Sequence, residues 1–156
     1  MRVSALIVCI SACMMFCAAA FCVDEKTWDD LTDQAIEQYR TGHHEEAVAT
    51  ARLALASGEE LFGPEDLKIV GSLDDLATYL NAVGKADESD ALYKRALHIL
   101  EKKLPPDDPY LEIFLNYLAG FYKKAGRPDE AAKLEERARA IRRARMQKKE
   151  MNTKEK

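Results

Sequence analysis

Gly42, Gly84 and Gly126 stand at one constant interval of 42 residues, and each opens a short polar turn: Gly42-His43-His44-Glu45-Glu46-Ala47, Gly84-Lys85-Ala86-Asp87-Glu88-Ser89 and Gly126-Arg127-Pro128-Asp129-Glu130-Ala131. The same interval relates Leu31, Leu73 and Leu115, then Ala35, Ala77 and Ala119, then Ala54, Ala96 and Ala138. A period of this length is the mark of stacked supersecondary units. The register is kept on both sides of the turn, so the architecture is fixed before any single residue is weighed.

Helix and turn signals divide the chain into six helical segments in three pairs. These run over about 25–41 and 44–61, then 65–83 and 86–104, then 108–125 and 128–149. Glycine takes the positive φ that ends a helix cheaply, which explains the stop of the first helix in each pair. Between pairs the chain reads Phe62-Gly63-Pro64-Glu65-Asp66 and Leu104-Pro105-Pro106-Asp107-Asp108-Pro109. Proline cannot continue a helix, while Asp108 before Pro109 is a good N-cap with proline at the first helical position. Leu73, Leu76, Ala77 and Leu80 recur at three- and four-residue steps, as do Leu92, Ala96, Ile99 and Leu100, giving two stripes that face a core.

Leu76-Ala77, Leu80, Gly84, Ser89, Tyr93 and Ala96 are matched by Leu118-Ala119, Tyr122, Gly126, Ala131, Glu135 and Ala138. This pattern of small residues where two helices cross resembles the tetratricopeptide repeat. With its longer period and its Gly-Pro-Glu-Asp or Pro-Pro-Asp-Asp breaks, the chain is similar to the repeats of kinesin light chains and their bacterial relatives, over roughly residues 28–142. The resemblance implies an all-α fold, a right-handed αα superhelix of about three helix-turn-helix repeats at about 25–62, 65–104 and 107–142. A signal segment precedes them and a basic extension over 143–156 follows. Gln34 and Gln38 replace Leu76 and Leu80 in the first repeat, and Glu135 and Arg139 replace Tyr93 and Leu97 in the third. Terminal repeats face water on one side, so these substitutions read as capping of a three-repeat stack.

Val3 to Val23 carries no charge, follows Arg2 and includes Ala18-Ala19-Ala20, a secretory signal pattern with cleavage expected after Ala20 or Cys22. Residues 1–22 are therefore read as a signal peptide. An uncleaved anchor is also long enough to span a bilayer, and Ile10-Ser11-Ala12-Cys13 resembles a lipoprotein cleavage box. The expected location is exported, secreted or periplasmic, with membrane attachment only if this segment is retained or lipidated. Cys9, Cys13, Cys17 and Cys22 all lie within it, so the exported part has at most one thiol.

Catalysis finds little footing. No phosphate-cradling glycine loop, no nucleophile beside a base and no convincing metal-ligand spacing is present. His43-His44-Glu45-Glu46 reads as a solvated turn rather than a metal site, and His98 as a helix residue beside Leu97 and Ile99. Cofactors are not expected. Charge is divided: residues 24–136 carry 25 acidic and 13 basic residues, net -12, and residues 137–156 carry 9 basic and 2 acidic, net +7. Arg139, Arg142, Arg143 and Lys149 lie near one helical face, which reads either as a solvated final helix or as a surface for an anionic partner. Nucleic acid is not expected as a partner of an exported chain.

The resemblance places the first helix of each pair on the inner surface of the superhelix. The implied groove positions are Asp29, Thr32, Ile36, Tyr39 and Arg40 in the first helix, Asp74, Thr78 and Asn81 in the second, and Asn116, Gly120, Lys123 and Lys124 in the third. Amides, hydroxyls and a tyrosine ring suit an extended peptide backbone, although polar residues simply facing solvent would look the same. The carboxylate-clamp arrangement of chaperone-binding relatives is not reproduced. The expected function is an exported, non-catalytic adaptor that binds a peptide or protein partner. The alternative is a membrane-tethered structural subunit of an envelope or secretory assembly. Ala77 stands where two helices cross, so Ala77→Leu is expected to overfill the contact and cost about 1 to 3 kcal/mol in thermal or denaturant unfolding. An unchanged melt would remove Ala77 from the crossing.

Overall fold

The computed structural model describes residues 24–154. The expected signal segment and all four cysteines lie outside the described residues. Among the described residues six helices follow in order: α1 (Glu25–Arg40), α2 (His44–Phe62), α3 (Ile69–Ala82), α4 (Ala86–Lys103), α5 (Pro109–Lys124) and α6 (Pro128–Lys154). They pack in pairs, α1 with α2, α3 with α4 and α5 with α6, as three helix-turn-helix units.

The three turns inside the pairs are built alike. Gly42, Gly84 and Gly126 have φ of 86°, 80° and 73°. The next residue's N–H reaches back to the carbonyl five residues earlier: His43 to Gln38, Lys85 to Leu80 and Arg127 to Tyr122, each at 2.9 Å. Each glycine N–H bonds the carbonyl three residues back, so the two bonds together form the Schellman closure that satisfies the carbonyls at a helix end. Beyond the turn, Ala35, Ala77 and Ala119 are buried with Ala47, Ser89 and Ala131, again 42 residues apart. In the middle pair these rows touch: the Ser89 hydroxyl donates to the Ala77 carbonyl at 2.7 Å. A larger side chain in either row would force the two helices apart.

Between pairs the expected breaks appear, with one change. Asp108 caps α5 by accepting from the Tyr110 N–H at 2.7 Å, and Pro109 occupies the first helical position. The helix expected from Glu65 begins instead at Ile69. Residues 63–68 fold as successive tight turns, with the N–H of Asp66 bonding Gly63, that of Ile69 bonding Asp66, and the Asp66 carboxylate accepting from the Lys68 N–H at 2.9 Å. An aspartate that holds the backbone two residues on favours a turn over a helix, and here it delays the helix by a turn.

The first two units lock through Trp28. Its ring meets Phe62 edge-on at 5.2 Å, and its indole N–H donates to Ser72 on α3 at 3.1 Å. Gly58 makes room for it, since a Cβ there would stand 2.9 Å from the indole nitrogen. The second and third units meet through larger side chains: Tyr93 on α4 packs against Phe121 on α5 at 4.6 Å. Tyr122 donates to Asp90, and Arg127 reaches the same carboxylate at 3.0 Å. Partial burial alone would raise Asp90, but Lys94, Tyr122 and Arg127 outweigh it and hold its carboxyl below the ordinary value.

Ion pairs repeat with the fold. Arg95 on α4 holds Glu59 on α2 at 2.5 Å, and 42 residues later Arg137 on α6 holds Glu101 on α4. Exposed pairs of this kind contribute less than about 1 kcal/mol each, so they set register more than stability. Glu112 on α5 is different: it is 5% exposed and held by Arg142 and Arg145 of α6 at 2.6 Å each. Removing both partners would strand a buried charge, which costs several times more than a surface pair.

The basic extension is therefore not a free cationic face. The helix runs on to Lys154, past the expected end near Lys149, and its cations are divided among targets. Arg142 and Arg145 turn inward to Glu112, Lys148 holds Asp107 at 2.6 Å, and Arg139 and Arg143 both hold Glu136. Arg139 stands one period after Leu97, so an ion-paired surface occupies the side of α6 that corresponds to an apolar contact in α4.

Nothing lies within 4 Å of the space a Cβ would fill at Gly84 or at Gly120, but only Gly84 has positive φ. Gly84→Ala is expected to destabilise the chain by about 1 to 2 kcal/mol from backbone strain alone. Gly120→Ala, inside α5, is expected to stabilise by up to about 1 kcal/mol. Thermal melts of the two variants that move in the same direction would contradict this turn geometry.

Candidate binding groove

The first helix of each pair contributes one face to a common groove. Tyr39 comes from α1, Thr78, Asn81 and Ala82 from α3, and Asn116, Tyr117, Gly120, Phe121 and Lys124 from α5, while the Tyr93 ring of α4 forms part of the floor. The space enclosed is about 420 Å³. A larger and more open cleft of about 820 Å³ lies between the Pro105–Pro109 loop and the end of α6. That cleft is a corner beside the Asp107–Lys148 pair and draws on only the last unit, whereas the groove gathers residues from all three.

Three hydroxyls meet on the groove floor. Thr78 Oγ1 is 2.9 Å from the Tyr93 hydroxyl and 3.1 Å from that of Tyr117, which are 3.5 Å from each other. Burial pushes the Tyr93 phenol far up, so it stays neutral as a donor and acceptor. Tyr39 stacks on Tyr79 at 4.6 Å and joins the wall from α1 to that from α3. Asn116 spends one amide hydrogen on the Glu112 carbonyl at 3.0 Å. Along α5, Tyr110, Ile113 and Tyr117 form an exposed row at three- and four-residue spacing, 48%, 62% and 46% exposed.

One turn before Thr78, Asp74 is half-buried, and its Oδ1 is closed off from solvent without a hydrogen-bond partner. Burial pushes its carboxyl up to about 6, the neighbouring Asp75 adds to the rise, and the Tyr117 hydroxyl partly offsets both. Asp75 is raised by burial as well.

Of the groove positions expected from the sequence, Tyr39, Thr78, Asn81, Asn116, Gly120 and Lys124 come together, and Asp74 flanks them. The others stand elsewhere. The Thr32 hydroxyl donates to the Trp28 carbonyl at 2.9 Å and lies in a small crevice with Ser72 and Asp75. Ile36 and Asp29 are exposed on α1, and Arg40 is exposed 3.7 Å from Glu37. Lys123 pairs with Glu135 on α6. Tyr93, Tyr117, Phe121 and Ala82 were not among the expected positions. Tyr117 and Phe121 flank Gly120 at i and i+4, a signal that was readable. Tyr93 belongs to the second helix of its pair, and only its long side chain brings the hydroxyl through.

His43 and His44 do not act together: His43 Nδ1 is 2.9 Å from the Thr41 hydroxyl, whereas the His44 ring tilts against Tyr39. Among the described residues no cluster of three or more histidine, cysteine, aspartate or glutamate side chains could hold a metal, and no helix is long and apolar enough to cross a membrane.

The raised Asp74 sets a pH signature. The folded chain holds this proton up to about pH 6 and the unfolded chain only to about 3.8, so the folded state carries a cost above about pH 6 that fades as pH falls toward 3.8. Asp74→Asn is expected to melt higher than the parent at neutral pH, with the gap closing in acid. A gap that is constant with pH would show that Asp74 is not the titrating group.

Residues 69–144 match the profile of the tetratricopeptide repeat. Three of the solved structures that share the fold show the likeness. BtubC (BKLC) from P. vanneervenii is 22% identical with a TM-score of 0.67, over 78% of this chain and 49% of that one. The kinesin-light-chain-type, nearly identical TPR-like repeats of Podosopora anserina are 25% identical with a TM-score of 0.63, over 72% and 54%. A single-substitution variant of the latter gives 24%, 0.64, 76% and 57%. This chain thus spans about half the length of each of those proteins. The sequence matches no curated protein. Tetratricopeptide repeats are usually non-catalytic and serve protein–protein interaction. With the period, the three Schellman turns and the paired helices in agreement, the chain carries tetratricopeptide repeats, matched over residues 69–144, in a fold structurally similar to kinesin-light-chain-like repeats.

Proposed function

We propose that this chain is a non-catalytic repeat adaptor that holds a peptide or protein partner in the groove of α1, α3 and α5. The observation that carries the reading is the groove itself: hydroxyls, amides and exposed aromatic rings from three successive units converge on one surface. Such groups hydrogen-bond an extended backbone and pack its side chains, and neighbouring units present them at the spacing of a solenoid's binding face. The reading includes a right-handed superhelical course, with the groove on its concave side.

Export is part of the proposal and rests on the uncharged Val3–Val23 stretch alone. Mass determination of the chain from its source separates cleavage from retention. An N-terminus near Phe21 or Val23 supports export of a free adaptor, whereas an intact Met1 or a lipidated Cys13 supports the membrane-tethered subunit instead.

The groove reading is tested by replacing Asp74 and Asn116 together with alanine. The double variant is expected to lose partners that the parent retains in affinity purification from the native source, with helicity by circular dichroism unchanged. A purification profile identical to the parent's would remove the groove from the binding surface.

A further inference from the structure

Several carboxylates of this fold have cationic partners, whereas the half-buried neighbours Asp74 and Asp75 have none among the described residues. Asp90 has Arg127 and Lys94, Glu112 has Arg142 and Arg145, Glu59 has Arg95, and Glu101 has Arg137. Asp74 has none. The groups that face it are Asp75 on its own helix, the phenols of Tyr110 and Tyr117 on α5, and those of Tyr79 on α3 and Tyr93 on α4. Its Oδ1 is closed to water and unpartnered. A half-buried carboxylate without a cationic partner is costly, and a cation brought to its solvent-accessible side would offset part of that cost.

We propose that the segment captured in the groove carries an arginine or lysine whose cation settles on Asp74, with its aliphatic stem along Tyr110, Ile113 and Tyr117. This rests on the groove-binding reading above and names its partner chemistry. The carboxylate supplies a charge-assisted hydrogen bond, and the exposed tyrosine rings offer their faces to the cation. Ile113, 62% exposed, gives the methylene stem an apolar support. The surroundings favour the same sign, since residues 24–136 carry net charge -12, which draws a basic segment toward the array before contact. An acidic partner finds less to hold it. Lys123 is already paired with Glu135, which leaves Lys124 as the lysine lining the groove among the described residues.

The test is selection of a displayed library of short random peptides on the full chain, run in parallel on the parent, Asp74→Asn and Tyr117→Ala. Peptides enriched on the parent are expected to be rich in arginine or lysine. Asp74→Asn is expected to bind them about tenfold or more weakly at neutral pH. Parent binding is expected to weaken as the pH falls below about 6, where Asp74 takes up its proton. Thermal melts establish that both variants are folded. Enriched peptides that are acidic or without charge bias, or that bind Asp74→Asn as well as the parent, overturn the cation inference. If Tyr117→Ala loses those same peptides, the groove reading survives that outcome. Absence of any enrichment on the folded parent overturns both.

Discussion

Close approach of two helices within each unit is the constraint on which this molecule depends. Ala35, Ala77 and Ala119 face the other helix of their pair, and Ala47, Ser89 and Ala131 answer them at the same interval. Small side chains there bring the helix backbones together, and the glycine turn returns the chain at the angle that keeps them so. Given that approach, the remaining apolar face of each unit must be covered by the next, which is why the core runs from Ala35 to Ala138 as a continuous strip.

The same closeness shapes the groove. When the two helices of a pair lie near each other, a long side chain on the second can reach between units, as Tyr93 does to meet Thr78 and Tyr117. The floor is therefore built from the core outward. A hydroxyl anchored by a buried ring is pre-positioned, and little side-chain freedom remains to be lost when a partner arrives.

Much of this was legible in the sequence, because periodic features report themselves several times. The three glycine turns, the alanine ladders and the cap of Asp108 all stand where spacing places them. What was less legible involves contacts with no period. Trp28 meets Gly58 and Ser72 in one unit boundary only, and the corresponding contact between the later units uses Tyr93 and Phe121 instead. The helix expected from Glu65 starts at Ile69 because the Asp66 carboxylate holds a local turn over residues 63–68. On the groove, helix choice was readable from the resemblance, but the exact angle of each residue was not. Lys123 and Lys124 are adjacent, yet one is paired with Glu135 and the other lines the groove.

The basic extension shows how net charge misleads when geometry is unknown. A run of arginines without acids reads as a solvated final helix or as an anionic-partner surface, yet Arg142 and Arg145 converge on one carboxylate 30 and 33 residues earlier. The last helix is thereby latched to α5 by residues at and just past the end of the third repeat. The folding unit and the repeat unit thus have different boundaries. A protease that clipped the chain just after Ile141 would leave the glycine turns and alanine ladders in place and still strand the buried Glu112 of α5 without its two cationic partners.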